Sequence, residues 1–277
     1  RLGGALDIVD SHNSVQPKLL LDRNGKLVVV WAEDNGLWYL QARRWNGTSW
    51  EKLPIPSKPL PYTSTGVNAF DAAFDSSNAF VVSVYGNYGR VQVSRTTGSS
   101  WTALTGMGFT GLTQLETNAS GEIHAVFQSK ITGNNYIKRW TGGLNWQIVA
   151  TFNKTAYDSP DAPYIYAESF ALRADGKPVL EAPTFVGGYG SDFFTWTGLT
   201  WLETHRGRYM HDYALNSSTY LITATSFYGG GTELEVTGTT QDAGLFDGDV
   251  SLAIRNDQPL LLYFPRAENN KLTAKLW

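Results

Sequence analysis

Trp45-Asn46-Gly47-Thr48-Ser49-Trp50 sets the period of this chain: one strand closes, a glycine turns the backbone, and a tryptophan opens the next strand. The cassette returns as Thr96-Thr97-Gly98-Ser99-Ser100-Trp101, as Trp140-Thr141-Gly142-Gly143-Leu144-Asn145-Trp146 and as Trp196-Thr197-Gly198-Leu199-Thr200-Trp201. The second tryptophans lie 51, 45 and 55 residues apart. A fixed element at that interval marks one supersecondary unit repeated, each copy burying its apolar face against its neighbours.

Each repeat reads as four strands. In the first, Pro17 to Asp22 is strand a, Arg23-Asn24-Gly25-Lys26 a tight turn, Leu27 to Trp31 strand b, Trp38 to Trp45 strand c and Trp50 to Leu53 strand d. Short β-branched and aromatic runs between Gly, Asn and Ser clusters carry this assignment, and helical periodicity is nearly absent. Further strand a segments start at Phe70, Thr113, Ser169, Asp212 and Ser251. In the fifth repeat the cassette has decayed to Thr237-Gly238-Thr239-Thr240-Gln241, and the sixth stops at Trp277 without strand d. Residues 5–9 are a spare strand that would complete it. The expected fold is all-β: a six-bladed β-propeller of four-stranded antiparallel blades in a single domain over residues 1–277, its ring closed by the N-terminal strand. The blades are expected over residues 11–53, 68–104, 110–150, 167–204, 210–246 and 249–277, the last joined by 1–9.

Composition narrows the function. Hydrophobic residues make up 42% of the 277, enough for a sizeable core, and charged residues only 17%, with a net charge of −3. With no basic stripe, a nucleic-acid partner is not expected. There is no cysteine, which excludes disulfides, thiolate metal sites and a cysteine nucleophile. No apolar run reaches the roughly 18 residues of a membrane helix. The chain opens at Arg1 without methionine, as a processed or excised chain does.

The Gly47-Thr48-Ser49-Trp50, Gly98-Ser99-Ser100-Trp101 and Gly198-Leu199-Thr200-Trp201 segments resemble the second half of the Asp-box of sialidase-like (BNR) propellers. Trp45, Thr96 and Trp196 stand where that motif has its aspartate. The resemblance implies a propeller whose tryptophans lock blade to blade. It implies no enzyme activity, since Asp-boxes are structural, and the arginine triad of sialidases has no counterpart here. The repeats are similar in the same general way to those of propeller lectins.

The a–b and c–d turns are short and alike, as scaffold is, whereas the b–c and d–a connections are long and varied. Variable loops on a rigid scaffold are where binding normally resides. They carry tyrosines beside glycines, whose open ring faces suit sugars or a protein partner. The expected ligand-binding residues are Tyr62, Tyr85, Tyr88, Arg90, Tyr164, Tyr189, Tyr228 and Arg266. The expectation is a non-enzymatic binding propeller, extracellular, on the cell surface or periplasmic, that recognises a glycan or an extracellular protein. One alternative is a glycan-active hydrolase or lyase using axial carboxylates and a proton carrier: Asp71, Glu168, His211, Asp212 and Asp249. Another is a structural subunit of an extracellular assembly, homo-oligomeric or mixed. No cofactor is expected; a Ca²⁺ on Asp71, Asp212 and Asp249 is the one metal reading, set against a water-filled polar channel.

Overall fold

In the computed structural model, residues 14–34, 38–55, 70–85, 91–97, 100–105, 114–129, 134–152, 169–173, 175–184, 190–208, 210–215, 221–226, 231–236, 239–255, 258–265 and 273–276 are described. All the regular structure among them is β. Four sheets are four-stranded antiparallel meanders in chain order. The first holds β1 (Ser14–Leu21), β2 (Leu27–Asp34), β3 (Trp38–Trp45) and β4 (Trp50–Lys52). The second holds β5 (Phe70–Phe74), β6 (Phe80–Tyr85), β7 (Val91–Thr97) and β8 (Ser100–Ala103). The third holds β9 (Leu115–Thr117), β10 (Ile123–Gln128), β11 (Asn135–Gly142) and β12 (Asn145–Phe152). The fourth holds β13 (Ser169–Leu172), β14 (Pro178–Thr184), β15 (Gly190–Trp196) and β16 (Trp201–Arg208).

A fifth sheet is six-stranded: β17 (Met210–Leu215), β18 (Leu221–Ser226), β19 (Gly231–Val236), β20 (Thr239–Arg255), β21 (Gln258–Pro265) and β22 (Thr273–Leu276). Its long strand β20 pairs with β19 up to Leu245 and with β21 from Phe246 onward. The expected end of one blade at 246 and start of the next at 249 therefore fall within one continuous strand. The expected closing strand, residues 5–9, lies outside the described residues. The chain divides into two compact units, Arg1–Leu60 with Tyr209–Trp277, and Pro61–Arg208.

Within the second unit the core lies between successive sheets. Ala73, Val81, Val93 and Leu104 of the second pack with Leu115, Ile123, Ala125 and Phe127 of the third. Val126, Ile137, Ala150 and Phe152 of the third pack with Phe170, Leu180 and Phe194 of the fourth. Alternation along β10 explains both: Ala125 and Phe127 face one neighbour and Val126 the other. Fully burying a side chain such as Phe152 contributes about 1.5–3 kcal/mol.

The cassette tryptophans fasten these junctions. Trp146 Nε1 donates to the Leu104 carbonyl at 2.9 Å, one sheet back, and its ring meets Phe127 edge-on at 5.3 Å. One repeat later Trp201 Nε1 donates to the Thr151 carbonyl at 3.0 Å, with its ring edge-on to Phe152 at 5.4 Å. The locking implied by the resemblance is thus present at two successive junctions.

Candidate functional site

The a–b turns are built by one recipe. Gly25 N donates to the Asp22 carbonyl and Asp22 N to the Lys26 carbonyl, both at 2.9 Å. The same two bonds recur from Asp75, Asn118 and Arg173. The residue three positions on is left-handed in every case: Gly25 at φ 69°, Asn78 at 61°, Gly121 at 79° and Gly176 at 77°. A type I turn followed by one left-handed residue explains why Gly or Asn stands there. Asp22 Oδ1 also accepts from Asn24 N and Lys26 N, and Asp75 Oδ1 from Ser77 N and Ala79 N.

An arginine from strand c then pins the turn. Arg44 lies 3.0 Å from the buried Asp22 carboxylate, Arg95 bonds Asp75 and Ser77, and Arg139 reaches Glu122 at 3.2 Å. Burial works to raise the Asp75 pKa, but the bonds from Arg95, Ser77 and Ala79 together hold it below the usual carboxylate value. In the c–d turns a side-chain oxygen caps the backbone. Asn46 Oδ1 accepts from Thr48 N and Ser49 N, and Thr197 Oγ1 from Leu199 N and Thr200 N. The cap comes from the residue after Trp45 and Trp196, so the missing aspartate is replaced one position along.

In each meander the roots of the b–c connections lie at the opposite end to these turns. They are anchored by the pairs Asp34↔Trp38, Tyr85↔Val91, Gln128↔Asn135 and Thr184↔Gly190, and by Ser226↔Thr232 in the six-stranded sheet. Tyr85 therefore ends β6 at the root of its loop. Tyr62, Tyr88, Arg90, Tyr164, Glu168, Tyr189, Tyr228 and Arg266 lie outside the described residues. By backbone position, His211 and Asp212 are in β17 and Asp249 is in β20. The β17–β18 register shifts between Met210 and Asp212, and the β20–β21 register between Asp247 and Ser251. His211 and Asp249 thus both sit where the ladder register is irregular.

Asp71 is buried, with both oxygens occupied by backbone donors. Oδ1 accepts from Ala72 N and Oδ2 from Leu115 N, each at 2.8 Å. The second bond joins β5 to β9, and Ser76 N to the Gly121 carbonyl joins the a–b turns of the same two sheets. As placed, this carboxylate braces two strands. Among the described residues, no three metal-ligating side chains come together.

Three features escaped the sequence reading. Glu33 and Glu181 are buried carboxylates on b strands, and Trp31 Nε1 donates to Glu33 at 3.2 Å. The signal was an acid interrupting an apolar run, as in Val29-Val30-Trp31-Ala32-Glu33. Lys138 lies with its ammonium 5.5 Å from the Phe127 ring centre and 5.8 Å from that of Tyr136, on the face toward the second sheet. Burial pushes its pKa down, and Tyr136 partly opposes the shift. A cation beside two rings is itself attracted by them.

No protein-family description and no curated protein matches this chain. Solved structures do. The SapL1 lectin in complex with α-methyl fucoside superposes with a TM-score of 0.64 at 11% identity, over 94% of this chain and 92% of the lectin. The Aleuria aurantia lectin, a fungal six-bladed β-propeller described with a novel fucose recognition mode, gives 0.63 at 11% identity, over 94% and 91%. A Hadza microbial sialidase gives 0.59 at 13%, over 95% of this chain but 65% of its own. Among the described residues no helix is long and apolar enough to cross a membrane. The meanders and these superpositions together make the fold a β-propeller of four-stranded antiparallel blades.

Proposed function

We propose that this chain is a six-bladed, non-enzymatic propeller of lectin type, exported from the cell, that holds a glycan at its b–c and d–a loops. The observation that carries the reading is the contrast between the two ends of the blades. The a–b and c–d turns use their polar side chains on one another. The opposite loops carry Tyr85, Tyr88, Arg90, Tyr189 and Tyr228 beside glycines, and Tyr62, Tyr164 and Arg266 on the remaining connections. Ring faces stack on the C–H surfaces of sugars, and arginine forks supply hydrogen bonds to hydroxyls. That two neighbours in the fold are named as fucose-binding lectins supports starting with fucosides. The sixth blade would be β20's second half, β21 and β22, completed by residues 5–9.

The hydrolase or lyase alternative would rest on Glu168, His211, Asp212 and Asp249, since Asp71 already accepts two backbone bonds. A glycan array followed by titration with α-methyl fucoside tests the binding reading. Saturable binding with the sugar recovered intact is the expected result. An array without hits, or turnover of a bound glycoside, contradicts it.

A further inference from the structure

We propose that Asn46 is a built-in deamidation site: the first c–d turn converts this side chain to aspartate and isoaspartate as the protein ages, while Asn24, also followed by glycine, is held unreactive. The reaction needs no enzyme. The backbone nitrogen of the next residue gives up its proton to water and attacks the asparagine Cγ. A cyclic imide closes, the side-chain nitrogen leaves as ammonia, and water opens the imide at either carbonyl. The net change is amide plus water to acid plus ammonia. A following glycine leaves the attacking nitrogen unshielded. Asn24-Gly25, Asn35-Gly36 and Asn46-Gly47 are such pairs, of which the second lies outside the described residues. Asn24 and Asn46 are both exposed, so exposure does not separate them.

Hydrogen bonding does. In the a–b turn Gly25 N donates to the Asp22 carbonyl at 2.9 Å, a bond that must break before this nitrogen can lose its proton. Asn24 bonds Asp22 through its backbone nitrogen, and no donor reaches its side-chain oxygen among the described residues. In the c–d turn Gly47 N donates to nothing among the described residues, and a Cβ at Gly47 would meet nothing within 4 Å. Asn46 Oδ1 accepts from Thr48 N at 2.9 Å, Thr48 Oγ1 at 3.0 Å and Ser49 N at 2.8 Å. That oxygen takes the negative charge when the nitrogen adds to Cγ, and donors already aimed at a developing oxyanion lower the barrier. Asn46 Nδ2 donates to Glu51, so a carboxylate lies beside the nitrogen that must gain a proton from water to leave as ammonia.

The other cassettes have Thr97, Thr141 and Thr197 at the position of Asn46. Thr197 Oγ1 caps Leu199 N and Thr200 N much as Asn46 caps its own turn. Threonine has no amide to lose, so of these four turns only the first carries the reaction. Its two products act differently on the turn. Aspartate keeps the capping oxygen but sets a second carboxylate beside Glu51. Isoaspartate inserts a methylene into the backbone of a turn that Asn46 N closes onto the Ser49 carbonyl at 3.1 Å, and so pulls that closure apart.

Incubation of the full chain at mildly alkaline pH, folded and in denaturant, tests this, with peptide mapping by mass spectrometry and isoaspartate quantified at each asparagine. In the folded protein Asn46 should convert at least about tenfold faster than Asn24, and at least as fast as it does in denaturant. In denaturant the two rates should converge to within about threefold, since the preorganised donors are gone. Thr48→Val deletes one donor to Oδ1 and should slow Asn46 about three- to tenfold in the folded protein, leaving Asn24 unchanged. Asn46→Thr, the residue the fourth repeat already uses, should fold normally and yield no product at this turn. Circular dichroism checks each variant; should Thr48→Val not fold, the comparison of folded and denatured parent decides. Asn24 converting as fast as Asn46 in the folded protein, Asn46 converting more slowly folded than in denaturant, or a folded rate indifferent to Thr48→Val would each overturn the proposal.

Discussion

The two ends of each blade obey different rules. At the turn end, four a–b turns repeat the same two backbone bonds and the same left-handed position, with their acids pinned by strand c arginines in three of them. At the loop end, the connections differ in length and sequence: three residues between Asp34 and Trp38, five between Tyr85 and Val91, six between Gln128 and Asn135. Turn groups that bond one another have little left to offer a ligand. The loop end is free to vary because the ladders beneath it close without its help.

This contrast predicts where substitutions act. The largest effect belongs to the junction between blades. Phe152→Ala empties a site walled by Phe194 and Trp201 and should cost about 3–5 kcal/mol in denaturant unfolding. Asp75→Ala strips the second a–b turn of its arginine, its serine and two backbone bonds, and should cost about 2–3 kcal/mol. If the turn end were decorative, that loss would fall below 0.5 kcal/mol, the ordinary scatter of roughly that size for surface changes.

Acid should act through the same group. The Asp75 carboxyl titrates lower in the folded than in the unfolded chain, so its contribution is complete above the usual carboxylate range. It is lost as pH falls through that range toward the lowered folded value, and Asp75→Ala should remove this part of the acid sensitivity. Trp201→Phe keeps an aromatic ring but deletes the bond to Thr151 and part of the packing on Phe152, for at least about 1 kcal/mol.

The smallest effect concerns His124. Burial lowers its pKa, Arg139 adds to the shift, and the Glu122 carbonyl and charge oppose it. The unfolded chain therefore takes up a proton first as pH falls below about 6.5. Stability should slip across that interval, and His124→Gln should flatten the slope in melting curves taken between neutral pH and pH 5, about the start of the carboxylate range.

Much of the scaffold was legible because its signals are local. A Gly or Asn at the left-handed position marks each of the four described a–b turns, with Asp or Asn three residues earlier in three of them and Arg173 in the fourth, and the cassette spacing counts the junctions. The staples were not legible. Nothing local marks Arg44, Arg95 and Arg139 as partners of the turns; the ladder registers set them there. The fusion of two expected strands into β20 was hidden because glycine weakens a strand interior, yet the strand runs through both Gly244 and Gly248. The burial of Glu33 and Glu181 was not legible either, because burial depends on packing between segments distant in sequence. Of the candidate site, the sequence marks aromatic residues on variable loops, but no local rule says which rings share a ligand.

The central claim is the division between a scaffold end and a binding end, and one pair of readings on one variant tests it. Tyr88→Ala combined with Tyr189→Ala and Tyr228→Ala should abolish glycan binding in titration while the unfolding midpoint stays within about 0.5 kcal/mol of the parent. Binding that survives the triple change, or a stability loss comparable to that of Phe152→Ala, would contradict it.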